Sequence, residues 1–237
     1  MDKKIVVMLH GAGTGAWIWE RVSALIRNPT FAPDVPSRAK DSTPATCADA
    51  IVKEIDERGR DHVVLVMHSL AGVLASEIAD RLGERLVSCV YISAIIPADG
   101  STFTKAIGFP GRLLLPILFF FNPGGLLPSE AMIRNELCTD LSKDDCSMVI
   151  NRYEAEFPGL YLTKVAGPPK CHSAYIRLLN DASISPIQQS NMIAHLDEPD
   201  VFELAAGHMV MLSQPEDLAN ILNHIVELPG SKQLPVL

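Results

Sequence analysis

The run Val63-Val64-Leu65-Val66-Met67-His68-Ser69-Leu70-Ala71-Gly72 ends an apolar, β-branched stretch in a serine and follows it at once with helix-compatible residues. A strand that turns this abruptly into a helix holds its serine in a strained conformation, with the hydroxyl exposed above the sheet, which makes the serine a candidate nucleophile. The usual pattern for such a turn is G-x-S-x-G, and the flanking positions here are Met67 and Ala71. Alanine is a mild change, whereas methionine requires a neighbouring strand that leaves room for it, so the motif alone leaves a purely structural serine open.

A serine hydroxyl is a weak nucleophile until a base takes its proton. Ala205-Ala206-Gly207-His208-Met209 sets His208 directly after the last expected strand, and Tyr175-Ile176-Arg177-Leu178-Leu179-Asn180-Asp181 ends another strand in Asp181. A lone loop histidine is more often a solvated surface residue. The chain order serine, acid, histidine favours His208 as general base and Asp181 as the carboxylate that fixes its tautomer and balances the imidazolium. Asp197 and Asp200 are the rival acids, but they fall in a helix-to-strand connection at the opposite end of the sheet.

Acyl transfer also needs donors for a developing oxyanion. The glycine-rich loop Leu9-His10-Gly11-Ala12-Gly13-Thr14-Gly15-Ala16-Trp17 can bring a backbone N–H close to the reacting carbonyl, and we expect Ala12 to supply one donor and Leu70 the other. A phosphate-cradling loop is the competing reading, but the G-x-x-x-x-G-K-[ST] pattern and a loop lysine are both missing. His62, His172, His195 and His224 lack paired ligand spacing and read as structural or solvated, so no metal is expected. His68 is expected to be held by backbone contacts rather than to act as the base.

These residues require a scaffold. Short β-branched runs at 4–9, 31–34, 62–67, 86–93, 174–179 and 201–204 alternate with helix-length amphipathic segments at 17–27, 46–58, 70–82, 186–194 and 215–226. Such alternation predicts an α/β fold: a mostly parallel sheet with helices on both faces. The pattern breaks over 97–169, a proline-rich stretch too long for a βα connection, so we expect a core of 1–96 and 170–237 carrying a cap insertion at 97–169. Between residues 106 and 129 the only charged side chain is Arg112. A segment so apolar is expected to cover a substrate pocket, with a homodimer contact or ordinary packing on the sheet as the alternatives.

The formal charge of −8 repels phosphate backbones and anionic lipid surfaces, so no nucleic-acid or membrane partner is expected. The longest apolar run has nine residues and contains Pro116, far short of the roughly 20 that span a bilayer. The amino terminus runs straight into the first strand rather than into an export signal, and Cys47, Cys89, Cys138, Cys146 and Cys171 form an odd set without CxxC spacing. We expect a cytoplasmic protein with free thiols, although a Cys138–Cys146 bridge is open.

With these motifs in place, the sequence resembles the plant-type methylesterase and hydroxynitrile lyase group of α/β-hydrolases and its bacterial esterase relatives. The matching residues are the H-G-x-x-x-G-A-W loop from His10 to Trp17, the H-S-x-x-G turn from His68 to Gly72, the D-x-x-I-x-P segment from Asp181 to Pro186 with Gln188 beyond it, and G-H-M-x-M-L-S-x-P from Gly207 to Pro215. The resemblance implies an α/β-hydrolase fold and a cofactor-free ester hydrolase that works through an acyl-enzyme. In the lyase branch a threonine follows the early histidine and a lysine follows the catalytic one; Gly11 and Met209 stand there in this chain. Methionine cannot offer a cation to departing cyanide, which favours the esterase. We expect a small, largely apolar ester in a pocket lined by His10, Gly11, Trp17, Phe109, Phe119, Phe120 and Met209. Cyanohydrin or C–C cleavage, cofactor-free oxygenation, and slow ligand sensing through a mobile cap are the alternatives on the same scaffold.

Overall fold

The computed structural model describes residues 4–59 and 62–228; residues 1–3, on which the amino-terminal reading partly rests, lie outside them. In chain order the elements are β1 (Ile5–Leu9), α1 (Glu20–Ser23), β2 (Thr30–Phe31), α2 (Pro44–Glu57), β3 (Val63–His68), α3 (Ala75–Leu82) and β4 (Leu86–Ile92). An insertion follows with α4 (Phe103–Ala106), α5 (Gly111–Phe121), α6 (Glu130–Leu137), α7 (Lys143–Arg152) and α8 (Gly159–Leu162). The chain then returns to the sheet through β5 (His172–Leu178), α9 (Pro186–Ile193), β6 (Asp200–Leu204), α10 (Val210–Ser213) and α11 (Pro215–Glu227).

The strands pair in parallel in the order β2-β1-β3-β4-β5-β6. Alternate side chains feed opposite faces: Val7, Leu9, Leu65 and Met67 enter one core with α2 and α3, whereas Val6, Met8, Val64 and Val66 enter the other with α11. That period of two is why near-continuous apolar strands suit a sheet covered on both sides. The insertion joins both cores, Phe119, Leu160 and Tyr161 packing into the first and Ile133 and Val149 into the second. It is therefore a cap-like layer set across the strand ends.

Helix starts follow local chemistry. Thr43 with Thr46 and Ser185 with Gln188 form capping boxes ahead of α2 and α9, each with proline in the first turn, where its missing N–H costs little.

Three expected elements differ. The helix expected over 17–27 is a 3₁₀ turn, Ala16–Trp19, and one α-helical turn; beyond it the Leu25 N–H goes to the Val22 carbonyl at 2.9 Å and the Arg27 N–H leaves the helix for Asn223 Oδ1 at 2.9 Å. The strand expected over 31–34 is only two residues long: Pro33 has no ladder donor, and the Val35 N–H turns to His10 Nε2 at 2.8 Å. The helix expected over 70–82 opens with a 3₁₀ segment, Ser69–Leu74, before α3.

Candidate active site

The strand order reverses between β1 and β3, whose connections leave to opposite sides of the sheet, so a crevice opens at their carboxyl ends. The glycine-rich loop leaves β1 there and Ser69 leaves β3. Ser69 has φ 54°, the left-handed strain expected of a strand-to-helix turn, and its carbonyl accepts the Ile95 N–H at 3.0 Å. Room for the turn comes from Gly72 and Gly11. A Cβ on Gly72 would lie 2.3 Å from the Ile95 carbonyl oxygen, and one on Gly11 would lie 2.8 Å from Ser69 Cβ. Met67 is fully buried in register between Leu9 and Tyr91, so the neighbouring strands do accommodate it.

Asp181 and His208, from the loops after β5 and β6, meet in the interior. His208 Nδ1 donates to Asp181 Oδ2 at 2.7 Å, and the Ser93 hydroxyl donates to the same oxygen at 2.7 Å. Asp181 Oδ1 accepts the N–H groups of Ser183 at 2.8 Å and Ile184 at 2.9 Å. Burial works to raise the Asp181 carboxyl, but the His208 imidazole and these donors prevail and hold it below its usual range. With Nδ1–H committed to the carboxylate, the lone pair of His208 is left on Nε2.

His68 donates its Nε2–H to the His208 carbonyl at 3.0 Å, and its ring lies 4.6 Å from that of His208. Burial, then the neighbouring His208, pushes His68 well below the usual histidine value, so it stays neutral. It positions the His208 loop.

Ser69, Leu70, Ala12, His208 and Met209 open onto one cavity of about 490 Å³. Leu70, the second residue of its 3₁₀ segment, carries an N–H that has no acceptor within that helix. The cavity walls are mainly apolar, with Leu114, Leu115 and Leu118 from α5, Ile133 and Leu137 from α6, and Tyr161 from α8.

Of the pocket residues expected from sequence, Phe109 and Met209 line this cavity. The other five lie elsewhere. His10 is buried behind the loop, bonded to the Gly11 carbonyl and the Val35 N–H, and burial lowers its pKa to about 4. Gly11 has no room for a side chain, Trp17 stacks under the Arg152 guanidinium, and Phe119 packs on Tyr161 in the core. Phe120 is 79% exposed on the outer face of α5.

Sequence reasoning missed the residues that hold the two loops. Gly13 donates its N–H to Glu156 Oε1 at 2.8 Å and accepts the Glu154 N–H at 2.9 Å; Arg38 bonds the Thr14 carbonyl and reaches Glu156 at 3.3 Å. The Gly207 N–H donates to Asp140 Oδ2 at 2.7 Å. Gln188 donates to the Ile107 carbonyl at 3.1 Å, joining α9 to α4. These acidic side chains are among several in the insertion, and nothing in the sequence singles them out or points to a partner. Glu136, on the cavity wall, was missed for the same reason.

A family model described as the alpha/beta hydrolase family matches residues 6–221. The chain belongs to that family. Among its relatives, methylesterase 7 of Arabidopsis thaliana is 24% identical over 268 residues, covering 96% of this chain and 99% of the relative. A solved extracellular alpha/beta-hydrolase from a Paenibacillus species, described as homologous to tobacco salicylic acid binding protein 2, superposes with a TM-score of 0.83 at 15% identity over 92% of this chain and 97% of its own. A pyrethroid hydrolase from Sphingobium faniae superposes with a TM-score of 0.75 at 18% identity, over 95% and 98%. The fold is thus that of the α/β-hydrolases, and the chain is related to plant methylesterases and bacterial esterases.

The five cysteines are free thiols, and Cys138 and Cys146 are not bridged. Among the described residues no helix is long and apolar enough to cross a membrane, and no group of three or more His, Cys, Asp or Glu residues could hold a metal.

Proposed function

We propose that this chain is a serine carboxylesterase that cleaves small, largely apolar esters through an acyl-enzyme. The observation that carries the reading is the buried 2.7 Å bond between His208 Nδ1 and Asp181, beside a backbone-strained Ser69 on the floor of the same apolar cavity. Kinship with plant methylesterases supports the substrate class.

In this mechanism His208 Nε2 takes the Ser69 proton as Oγ attacks the ester carbonyl, and Asp181 balances the imidazolium. The N–H groups of Ala12 and Leu70 hold the oxyanion, each contributing on the order of 10²–10³ in kcat. The imidazolium then protonates the departing alcohol. Water, deprotonated by His208, releases the acid and restores Ser69. Residues 1–96 and 170–237 form the catalytic core in this reading, with 97–169 as its cap, and the free thiols fit work in a reducing, cytoplasmic compartment.

The cavity favours hydrolysis over cyanohydrin cleavage. Met209 is fully buried and uncharged where the lyase branch needs a cation, and Gly11 leaves no space for a threonine side chain.

The test is hydrolysis of p-nitrophenyl esters from acetate to long chains by the wild type and by Ser69→Ala, with fluorophosphonate labelling read by mass spectrometry. We expect turnover, a label on Ser69, and a loss of about 10⁴-fold or more in the variant with its fold retained. Equal turnover by both proteins, or inertness of both with no label, would overturn the assignment.

A further inference from the structure

Four residues of α6 line the cavity: Met132, Ile133, Glu136 and Leu137. Their spacing puts them on one helical face, so Glu136 is aimed at the cavity by the same period that aims its apolar neighbours. Arg134 lies off that face and donates to Cys146 Sγ at 3.3 Å, where it cannot neutralise the acid. Among the described residues Glu136 has no hydrogen-bond or ion-pair partner, and it is the only Asp, Glu, Lys or Arg on the cavity wall. Burial raises its carboxyl above the usual range, while nearby His208 acts in the opposite direction.

A partly desolvated carboxyl without a partner is under-satisfied. A bound molecule that offers it a donor restores a bond that water otherwise makes, and one that offers a second carboxylate adds like-charge repulsion in a medium less polar than water. The remaining polar groups of the cavity, chiefly Ser69, His208, Ser183, Gln188 and Tyr153, are neutral or belong to the proposed chemistry. Glu136 is thus the one wall group able to discriminate by charge.

We propose that Glu136 is a specificity-determining residue, selecting esters that present a positive charge or a hydrogen-bond donor to the α6 wall and rejecting esters that present a carboxylate there. The inference rests on the ester-hydrolase reading above and narrows its substrate class.

Because either end of the ester can face α6, the probes form two matched sets. The acyl set is methyl 5-(trimethylammonio)pentanoate, methyl 6,6-dimethylheptanoate and monomethyl adipate; the alcohol set is acetylcholine, 3,3-dimethylbutyl acetate and 3-acetoxypropanoate. Values of kcat/KM are compared for the wild type and Glu136→Gln, and binding of the same esters is measured by calorimetry in Ser69→Ala with and without Glu136→Gln. In at least one set we expect a cation-over-anion preference that falls by about tenfold or more on Glu136→Gln, equivalent to roughly 1.4 kcal/mol. A ratio that changes by less than about twofold in both sets would overturn the proposal. If neither these esters nor the p-nitrophenyl esters are turned over, the hydrolase reading fails, while the binding ratios still decide the role of Glu136.

Discussion

Two serines of the site occupy left-handed backbone, Ser69 at φ 54° and Ser93 at φ 40°. Each such conformation costs on the order of 1–3 kcal/mol and persists only where its surroundings fix it. For Ser93 the fixing contacts are the bond to Asp181 and the N–H bond to the Ile176 carbonyl at 3.1 Å; for Ser69 they are the Ile95 bond and the close approach of Gly11. Behind them, the buried imidazoles set a stability limb. The unfolded chain protonates His10 as pH falls through 6.5, but the folded chain resists until about 4, so stability is lost through that window, by up to about 3 kcal/mol. His68 acts in the same direction. Asp181 contributes stability that is present above 3.8 and lost as pH falls further through its depressed value. Urea unfolding at a series of pH values should show the limb from 6.5 to 4 in the wild type and a shallower one in His10→Gln. An identical slope in the two proteins would refute the role given to His10.

At the scale of elements, the loop after β1 is shaped as much by the insertion as by the strand it leaves. Glycine at 13, with φ 68°, lets the chain pass under the Tyr153 ring and reach Glu156. Glu156 is buried and meets Arg38, whose side chain is 21% exposed. Removing one partner of a buried charged pair is costlier than removing both, because the survivor is left desolvated. Arg38 keeps Glu154 at 3.3 Å and the Thr14 carbonyl, so Glu156→Leu should lower stability by about 1–3 kcal/mol, mainly through the unsatisfied Gly13 N–H, and Glu156→Gln, which keeps an acceptor for that N–H, should lose less. Denaturant midpoints measure this, and equal losses in the two variants would show that the Gly13 bond contributes nothing.

Across the whole molecule, the insertion is tied to both loops of the site at once, through Glu154 and Glu156 to Gly13 and through Asp140 to Gly207, and it also fills both cores. A cap joined in this way does not swing open as a unit without breaking buried bonds. In the proposed function, ligand traffic then falls to the outer part of the cap, where α5 turns Leu114, Leu115 and Leu118 to the cavity and leaves Phe120 and Phe121 exposed. Hydrogen exchange should find the Gly13 and Gly207 amides protected to a degree approaching that of the central strands, with faster exchange at the ends of α5. Rapid exchange at both glycines would instead indicate a cap that opens as a body and would favour a sensor-like cycle.

The sequence by itself determined the layer order and the candidate nucleophile, base and acid, because those features are local: apolar runs of strand length, a serine at a strand-to-helix turn, and an acid and a histidine each one turn past a strand. The resemblance to a known family, read at Gly11 and Met209, implied an esterase rather than a lyase. Tertiary structure alone decided which aromatics line the cavity. Phe109, Phe119 and Phe120 are alike in sequence, yet Phe109, just ahead of α5, sits exposed at the cavity edge, while on α5 itself Phe119 packs into the core and Phe120 faces solvent. It also decided that Glu156, Asp140 and Ser93 hold the loops and that Glu136 faces the cavity. The bonding partners of the first three lie 67 or more positions away along the chain, as with Gly207 and Asp140, and no sequence period encodes a contact at that separation.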